Sequence, residues 1–180
     1  MIGSELSEKH FKAICDIVYD TSGICLKEGK KALVRARLVK RLRALDIADF
    51  RDYIDYLQGE GGAGELPHMI DVMTTNKTGF FRERDHFDFL AERVLNKLSG
   101  RKLRFWTAAC SSGEEPYTLA ITLLENLPDI GSRDVKILAT DISFRMLEKG
   151  KAGLYGADSL ASMDRTLLSR YFDLVRKEHP

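Results

Sequence analysis

Residues Leu103 to Leu119, L-R-F-W-T-A-A-C-S-S-G-E-E-P-Y-T-L, constrain the fold of this chain more than any other stretch. A short apolar run of Leu103, Phe105 and Trp106 reads as a buried strand, with Trp106 in the core, and ends in small residues from Ala108 to Gly113. Two acids and Pro116 follow, and then an apolar-periodic helix from Pro116 to about Leu127. A strand that turns through small residues into a helix lets a ligand approach the backbone at the carboxyl edge of a sheet. Val135 to Thr140, V-K-I-L-A-T, reads as a second strand and ends in Asp141. Strand, helix and strand with short connections predict a right-handed crossover and two parallel neighbouring strands, the beginning of a doubly wound sheet.

The residues before that stretch read as helices. Ser7 is the expected N-cap of a first helix that turns Phe11, Ile14 and Val18 inward and closes at Gly23. A second helix from Gly29 or Lys30 carries one apolar stripe, Val34, Leu38, Leu42 and Leu45. The rest of its circumference is basic: Lys30, Lys31, Arg35, Arg37, Lys40, Arg41 and Arg43. A third helix from about Ala48 directs Phe50, Tyr53, Ile54 and Leu57 inward. Gly59 to Glu65, G-E-G-G-A-G-E, reads as a flexible polar loop, and Leu66 to Met73 as a short helix with Pro67 in its first turn. Thr74 to Arg84 has no period and reads as a loop, followed by a helix from about Asp85 to Leu98 with Phe87, Leu90, Val94 and Leu98 on one face. After the second strand, Phe144 to about Gly150 is an expected helix with Met146 and Leu147 buried. Gly153 to Ser162 is expected to be irregular and Asp164 to Tyr171 helical. The expected division is a small all-α N-terminal domain over residues 1–72 and an incomplete α/β domain over residues 73–180.

Composition removes several function classes. The net charge of +1 gives no global attraction to nucleic acid or membrane, so any electrostatic signal is local. No segment approaches the roughly 18–20 uninterrupted apolar residues of a membrane span, and Met1 to Glu8 lacks the charged and apolar regions of a signal peptide. Cys15, Cys25 and Cys110 form no close C-x-x-C pair, which suggests reduced thiols and a cytoplasmic location. The histidines, at 10, 68, 86 and 179, show no metal-ligand spacing, so no metal is expected.

The turn A-A-C-S-S-G-E-E is neither G-x-G-x-x-G nor followed by G-K-[ST], which argues against P-loop and dinucleotide sites. Glu114 and Glu115 at the positive end of the helix would repel a phosphate. Asp141, at the end of the second strand, stands where such folds place an acid against ribose hydroxyls. A nucleoside without phosphate, carrying a cation, describes S-adenosylmethionine.

Three stretches then carry a resemblance. Thr75-Asn76-Lys77-Thr78-Gly79-Phe80-Phe81-Arg82-Glu83, Gly113-Glu114-Glu115-Pro116-Tyr117 and Ala139-Thr140-Asp141-Ile142-Ser143 are similar, in order and spacing, to successive motifs of the CheR chemotaxis-receptor methyltransferases. The resemblance implies a Rossmann-like S-adenosylmethionine-dependent methyltransferase domain that transfers methyl groups to glutamate side chains of chemoreceptors. It implies cofactor contacts from Asn76, Thr78 and Arg82, from Glu115 with Glu114 as the second choice, and from Asp141. Ala108 and Ala109 would let the cofactor lie close to the backbone. The basic second helix, with Arg37, Lys40, Arg41 and Arg43, matches the part of the family that meets the receptor, whose methylated surfaces are acidic. No catalytic base is named, because a glutamate carboxylate is already ionised at neutral pH.

Chains of that family continue beyond the point matching Arg170 to Phe172, so this chain is expected to lack the remaining strands and to have impaired or no turnover. A two-stranded parallel sheet is small for independent stability, and its open edge and apolar face are expected to be covered by a second copy or poorly ordered. The rival readings are a non-catalytic module that grips an acidic partner through the basic helix, and nucleic-acid binding by that helix, which the near-neutral charge disfavours. Cys110 reads as a small residue filling a tight turn, and Phe80 and Phe81 as either core or adenine-stacking residues.

Overall fold

The computed structural model describes residues 5–175, which fall into two compact units. The first contains the residues up to Thr75 together with Ile142–Phe144, and the second contains Asn76–Asp141 and the residues from Arg145 on.

The first unit is built from α1 (Glu8–Ser22), α2 (Lys31–Ala44), α3 (Phe50–Gln58) and α4 (Gly62–Met73). Side chains cap the starts of α1 and α3. The Ser7 hydroxyl accepts from the His10 amide, and the Asp49 carboxylate accepts from the amides of Arg51 and Asp52, satisfying donors that have no partner within the helix. Gly23, at φ 71°, ends α1 in the left-handed conformation. The apolar stripes meet in one core of Leu6, Phe11, Ile14, Val18, Val34, Leu38, Leu42, Phe50, Tyr53, Ile54, Leu57, Met69, Ile70 and Met73. Leu38 and Leu42 are completely buried, each worth about 1.5–3 kcal/mol of transfer free energy.

The run Gly59 to Glu65 departs from its expected loop: α4 begins at Gly62, and Glu65 is 2% exposed inside it. Arg41 and the Tyr53 hydroxyl converge on the Glu65 carboxylate, and this buried partnership holds a helical turn that its glycines alone would not favour.

In the second unit, β1 (Lys102–Ala108) pairs in parallel with β2 (Asp134–Thr140), Lys102 opposite Asp134 and Ala108 opposite Thr140. α6 (Glu114–Asn126) lies between them in the chain. It begins two residues before the expected Pro116, whose missing N–H falls among the amides that lack an intrahelical acceptor anyway. α6 covers one sheet face through Leu103, Leu119, Leu123 and Leu127, joined by Leu95 and partly by Phe105, Val135 and Ile137. The expected single helix over 85–98 is α5 (Arg84–Phe89), then a π-helical stretch at Leu90–Val94 and a 3-10 turn at Leu95–Lys97. The wider π turn shifts the inward face by one residue, so Leu95 is buried where Val94 was expected. Among the described residues the chain continues with α7 (Phe144–Ala152), which belongs to this unit from Arg145 on, a short α8 (Ala157–Leu160) within the stretch expected to be irregular, and α9 (Arg165–Tyr171), capped by Asp164.

Trp106 corrects another expectation. Strand alternation sends Leu103, Phe105 and Thr107 toward α6 and Trp106 to the opposite face, where it is 68% exposed beside its register partner Leu138 at 59%. Its indole donates across the pair to the Thr140 hydroxyl at 2.9 Å.

Candidate cofactor site

The carboxyl ends of β1 and β2 meet in a turn that few sequences tolerate. Ala109 (φ 58°), Ser111 (φ 49°) and Gly113 (φ 95°) are all left-handed, and for the first two this conformation costs free energy that neighbouring contacts must offset. The offset is visible. The Cys110 amide donates to the Thr140 carbonyl at 2.9 Å, and the Ser111 amide donates to Asp141 Oδ2 at 2.7 Å. Asp141, half-buried at the end of β2, thus fixes the turn after β1. Gly113 is needed for space as well as for φ, since a Cβ there would lie 2.9 Å from the Gly150 Cα and from the Tyr155 hydroxyl.

The two acids of the turn have separate environments. Glu114 is buried, and its Oε2 accepts from the Ser112 hydroxyl at 2.7 Å, which makes it a strut of the turn. Glu115 is exposed at the start of α6. Burial, with the Asp141 carboxylate second, pushes the Cys110 thiol up, so it stays protonated at neutral pH and fills the turn.

The loop 74–83 is fastened to this turn. Ser111 Oγ donates to the Asn76 carbonyl at 3.4 Å, and the Phe81 amide donates to the buried Thr118 hydroxyl on α6 at 3.1 Å. Phe80 is buried, and Phe81 meets Phe87 edge-on at 6.3 Å. Asn76 and Thr78 are half-buried. Arg82 donates from Nη1 to the Lys77 carbonyl at 2.8 Å, which curls the loop around its own guanidinium, and the side chain remains 57% exposed. The second unit therefore contains Asn76, Thr78, Arg82, Glu114, Glu115 and Asp141, with the loop, the turn and the strand end joined by hydrogen bonds.

The donor set fits a cationic nucleoside better than a nucleotide. Exposed Ala108 and Ala109 leave the backbone approachable, the acids at the helix start oppose phosphate, and Arg82 supplies a guanidinium suited to a carboxylate. Among the described residues, no group of three or more His, Cys, Asp or Glu side chains is placed to hold a metal ion.

The basic face of the first unit divides in two. Arg41 donates from Nε and Nη2 to the two Glu65 oxygens at 2.8 and 2.6 Å, and this hydrogen bonding raises its already high pKa. Burial, followed by the Glu65 hydrogen bond, pushes the neighbouring Tyr53 phenol far above its ordinary value. Arg37 holds the carbonyls of Met73 and Thr74 and the Thr75 hydroxyl. Lys40 and Arg43 are exposed. The Arg41–Glu65–Tyr53 triad is missed by pattern reading because its acid sits in a glycine-rich run. Tyr155, which contacts the turn, lies in a stretch without period, and no sequence signal marks it.

No helix among the described residues is long and apolar enough to cross a membrane. Residues 9–74 match the family described as "CheR methyltransferase, all-alpha domain", and residues 76–179 match "CheR methyltransferase, SAM binding domain". A chemotaxis protein methyltransferase of Salmonella typhimurium is 41% identical over 167 residues, covering 93% of this chain and 57% of that protein. Chemotaxis protein methyltransferase 2 of Pseudomonas aeruginosa is 41% identical over 169 residues, covering 92% of this chain and 59% of its own length. The chemotaxis protein methyltransferase of Borreliella burgdorferi is 36% identical over 181 residues, covering 96% and 64%. The chain thus spans little more than half of the length of these relatives, yet it carries both domain types in order, and on that ground it belongs to the CheR methyltransferase family.

Proposed function

We propose that this chain is the receptor-facing and cofactor-binding part of a cytoplasmic protein-glutamate O-methyltransferase that acts on chemoreceptors. The observation that carries the proposal is the joined set of loop, turn and strand end within residues matching a SAM-binding domain. When bound, S-adenosylmethionine supplies an electrophilic methyl group on a sulfonium that leaves as a neutral thioether. The protein's task is then to bind, orient and exclude water, because alignment of a bound pair provides most of the acceleration for such a displacement.

In this reading Arg82 holds the methionyl carboxylate with paired donors, while Asn76 and Thr78 add short hydrogen bonds. Asp141 accepts from the ribose hydroxyls. Glu115 faces the cationic part of the ligand, and Glu114 acts by shaping the turn through Ser112. Lys40 and Arg43 meet the acidic receptor surface directly, and Arg37 and Arg41 hold the helix that presents them. Isothermal titration with S-adenosylhomocysteine tests the cofactor reading. Saturable heat is expected, and none at high micromolar ligand would leave a binding module without chemistry.

Self-association belongs to the same proposal. Trp106 and Leu138 expose large apolar surface side by side on a sheet that has two strands among the described residues, a surface suited to a second copy of the chain.

A further inference from the structure

Tyr155 ties together three parts of the second unit that are distant in sequence. Its hydroxyl donates to the Ser112 carbonyl at 2.7 Å. Its ring meets Phe80 edge-on at a centroid distance of 4.8 Å, and Tyr117 at 6.0 Å. Phe80 also packs edge-on against Phe172 at 5.2 Å. Phe80 belongs to the loop that carries Asn76, Thr78 and Arg82, and Ser112 belongs to the turn that carries Glu114 and Glu115. The Tyr117 hydroxyl donates to the Gly150 carbonyl at 2.9 Å, fastening the first turn of α6, which follows directly on that turn, to α7. Burial, with the Glu114 carboxylate second, pushes the Tyr155 phenol up, so it remains a donor at all ordinary pH values.

We propose that Tyr155 is a positioning residue for the cofactor, setting the spacing between the Arg82 loop and the Glu115 turn. This rests on the cofactor reading of those two segments. The physical reason is preorganisation: a ligand gripped by two independent segments must otherwise meet the entropy cost of fixing each when it binds. Ser112 precedes Gly113, which is held at φ 95° against Gly150 and Tyr155, so the donor on the Ser112 carbonyl helps fix the peptide that leads into the left-handed residue and on to α6. The edge-to-face ring contact transmits the same constraint to Phe80.

Tyr155→Phe isolates the hydrogen bond, because the ring and its packing survive. S-adenosylhomocysteine affinity and amide exchange are to be measured on the 180-residue chain and on this variant. Loss of one neutral hydrogen bond predicts about three- to tenfold weaker binding. Faster exchange is expected to be confined to residues 111–117 and 76–83. Tyr155→Ala, if it folds, should lose more than tenfold by the same reasoning, since the ring contact goes too. Unchanged exchange at both segments in Tyr155→Phe overturns the proposal, and so does unchanged affinity. Acceleration spread evenly over β1, β2 and α6 also overturns it, as the mark of a merely structural tyrosine. If the unaltered chain takes up no S-adenosylhomocysteine, the cofactor reading falls by itself. The exchange pattern then still decides whether Tyr155 couples the two segments.

Discussion

Arg82, Glu65 and Thr107 make the clearest demands on single side chains. An exposed guanidinium curled over its own loop has little to do for stability, so Arg82→Ala is expected to leave the fold intact. It should weaken S-adenosylhomocysteine binding by about 1.5–3 kcal/mol, the range for a charged hydrogen-bonded contact, as measured by calorimetry. Glu65 has the opposite role. Its removal leaves Arg41 and the Tyr53 hydroxyl beside a hole, and breaking one partner of a buried pair costs about 3–5 kcal/mol. Urea unfolding of Glu65→Ala, followed by far-ultraviolet circular dichroism, should therefore show an early loss of helix. The Thr107 hydroxyl is buried without a hydrogen-bond partner among the described residues, facing the sheet side that α6 covers. Thr107→Val keeps the shape and removes the unsatisfied group, so a gain of about 1 kcal/mol is expected in the same measurement.

At the level of elements, α9 depends on acid groups. Hydrogen bonds from the Thr166 amide hold the Asp164 carboxyl below its usual range, and the Tyr171 hydroxyl, then Arg170, do the same for Glu125 on α6. A depressed folded-state pKa contributes stability that is fully present above the unfolded value, near pH 4, and is lost as pH falls through the lowered value. Amide protection of residues 165–171 should thus be constant from pH 7 to about pH 5 and fall at lower pH, sooner than that of β1. The elements themselves differ in how plainly the sequence announces them. The striped helices α1, α2 and α3, the first and third of them capped by Ser7 and Asp49, and the two strands can be read from period and punctuation alone. The first turn of α4 cannot, because its composition signals a loop and its cause is a distant arginine and tyrosine. The π turn at 90–94 cannot either, since periodicity assumes a constant number of residues per turn. Loop 74–83 and the turn at 109–113 are legible as irregular segments rich in chemistry, whereas Tyr155 sits in a stretch with no pattern to mark it.

For the molecule as a whole, the exposed Trp106 and Leu138 are the surface on which the proposed self-association rests. Alternation reveals that Trp106 and Leu103 point to opposite sides, but which side is covered depends on elements that pattern reading cannot place. Sedimentation at rising concentration should show self-association, and Trp106→Glu should abolish it by placing a charge in the apolar contact. Unchanged sedimentation in the variant would locate the contact elsewhere. The two units also differ in the sequence range of their contacts, since helices are local whereas β1 pairs in parallel with a strand beginning at Asp134. Non-local pairing is slow to form because the intervening chain must first be closed. Trp106 is the sole tryptophan and donates across that pair to Thr140, so it is a built-in optical reporter of strand docking. In a stopped-flow refolding experiment the helical signal should appear first and the indole emission change later, timing the arrival of the second strand.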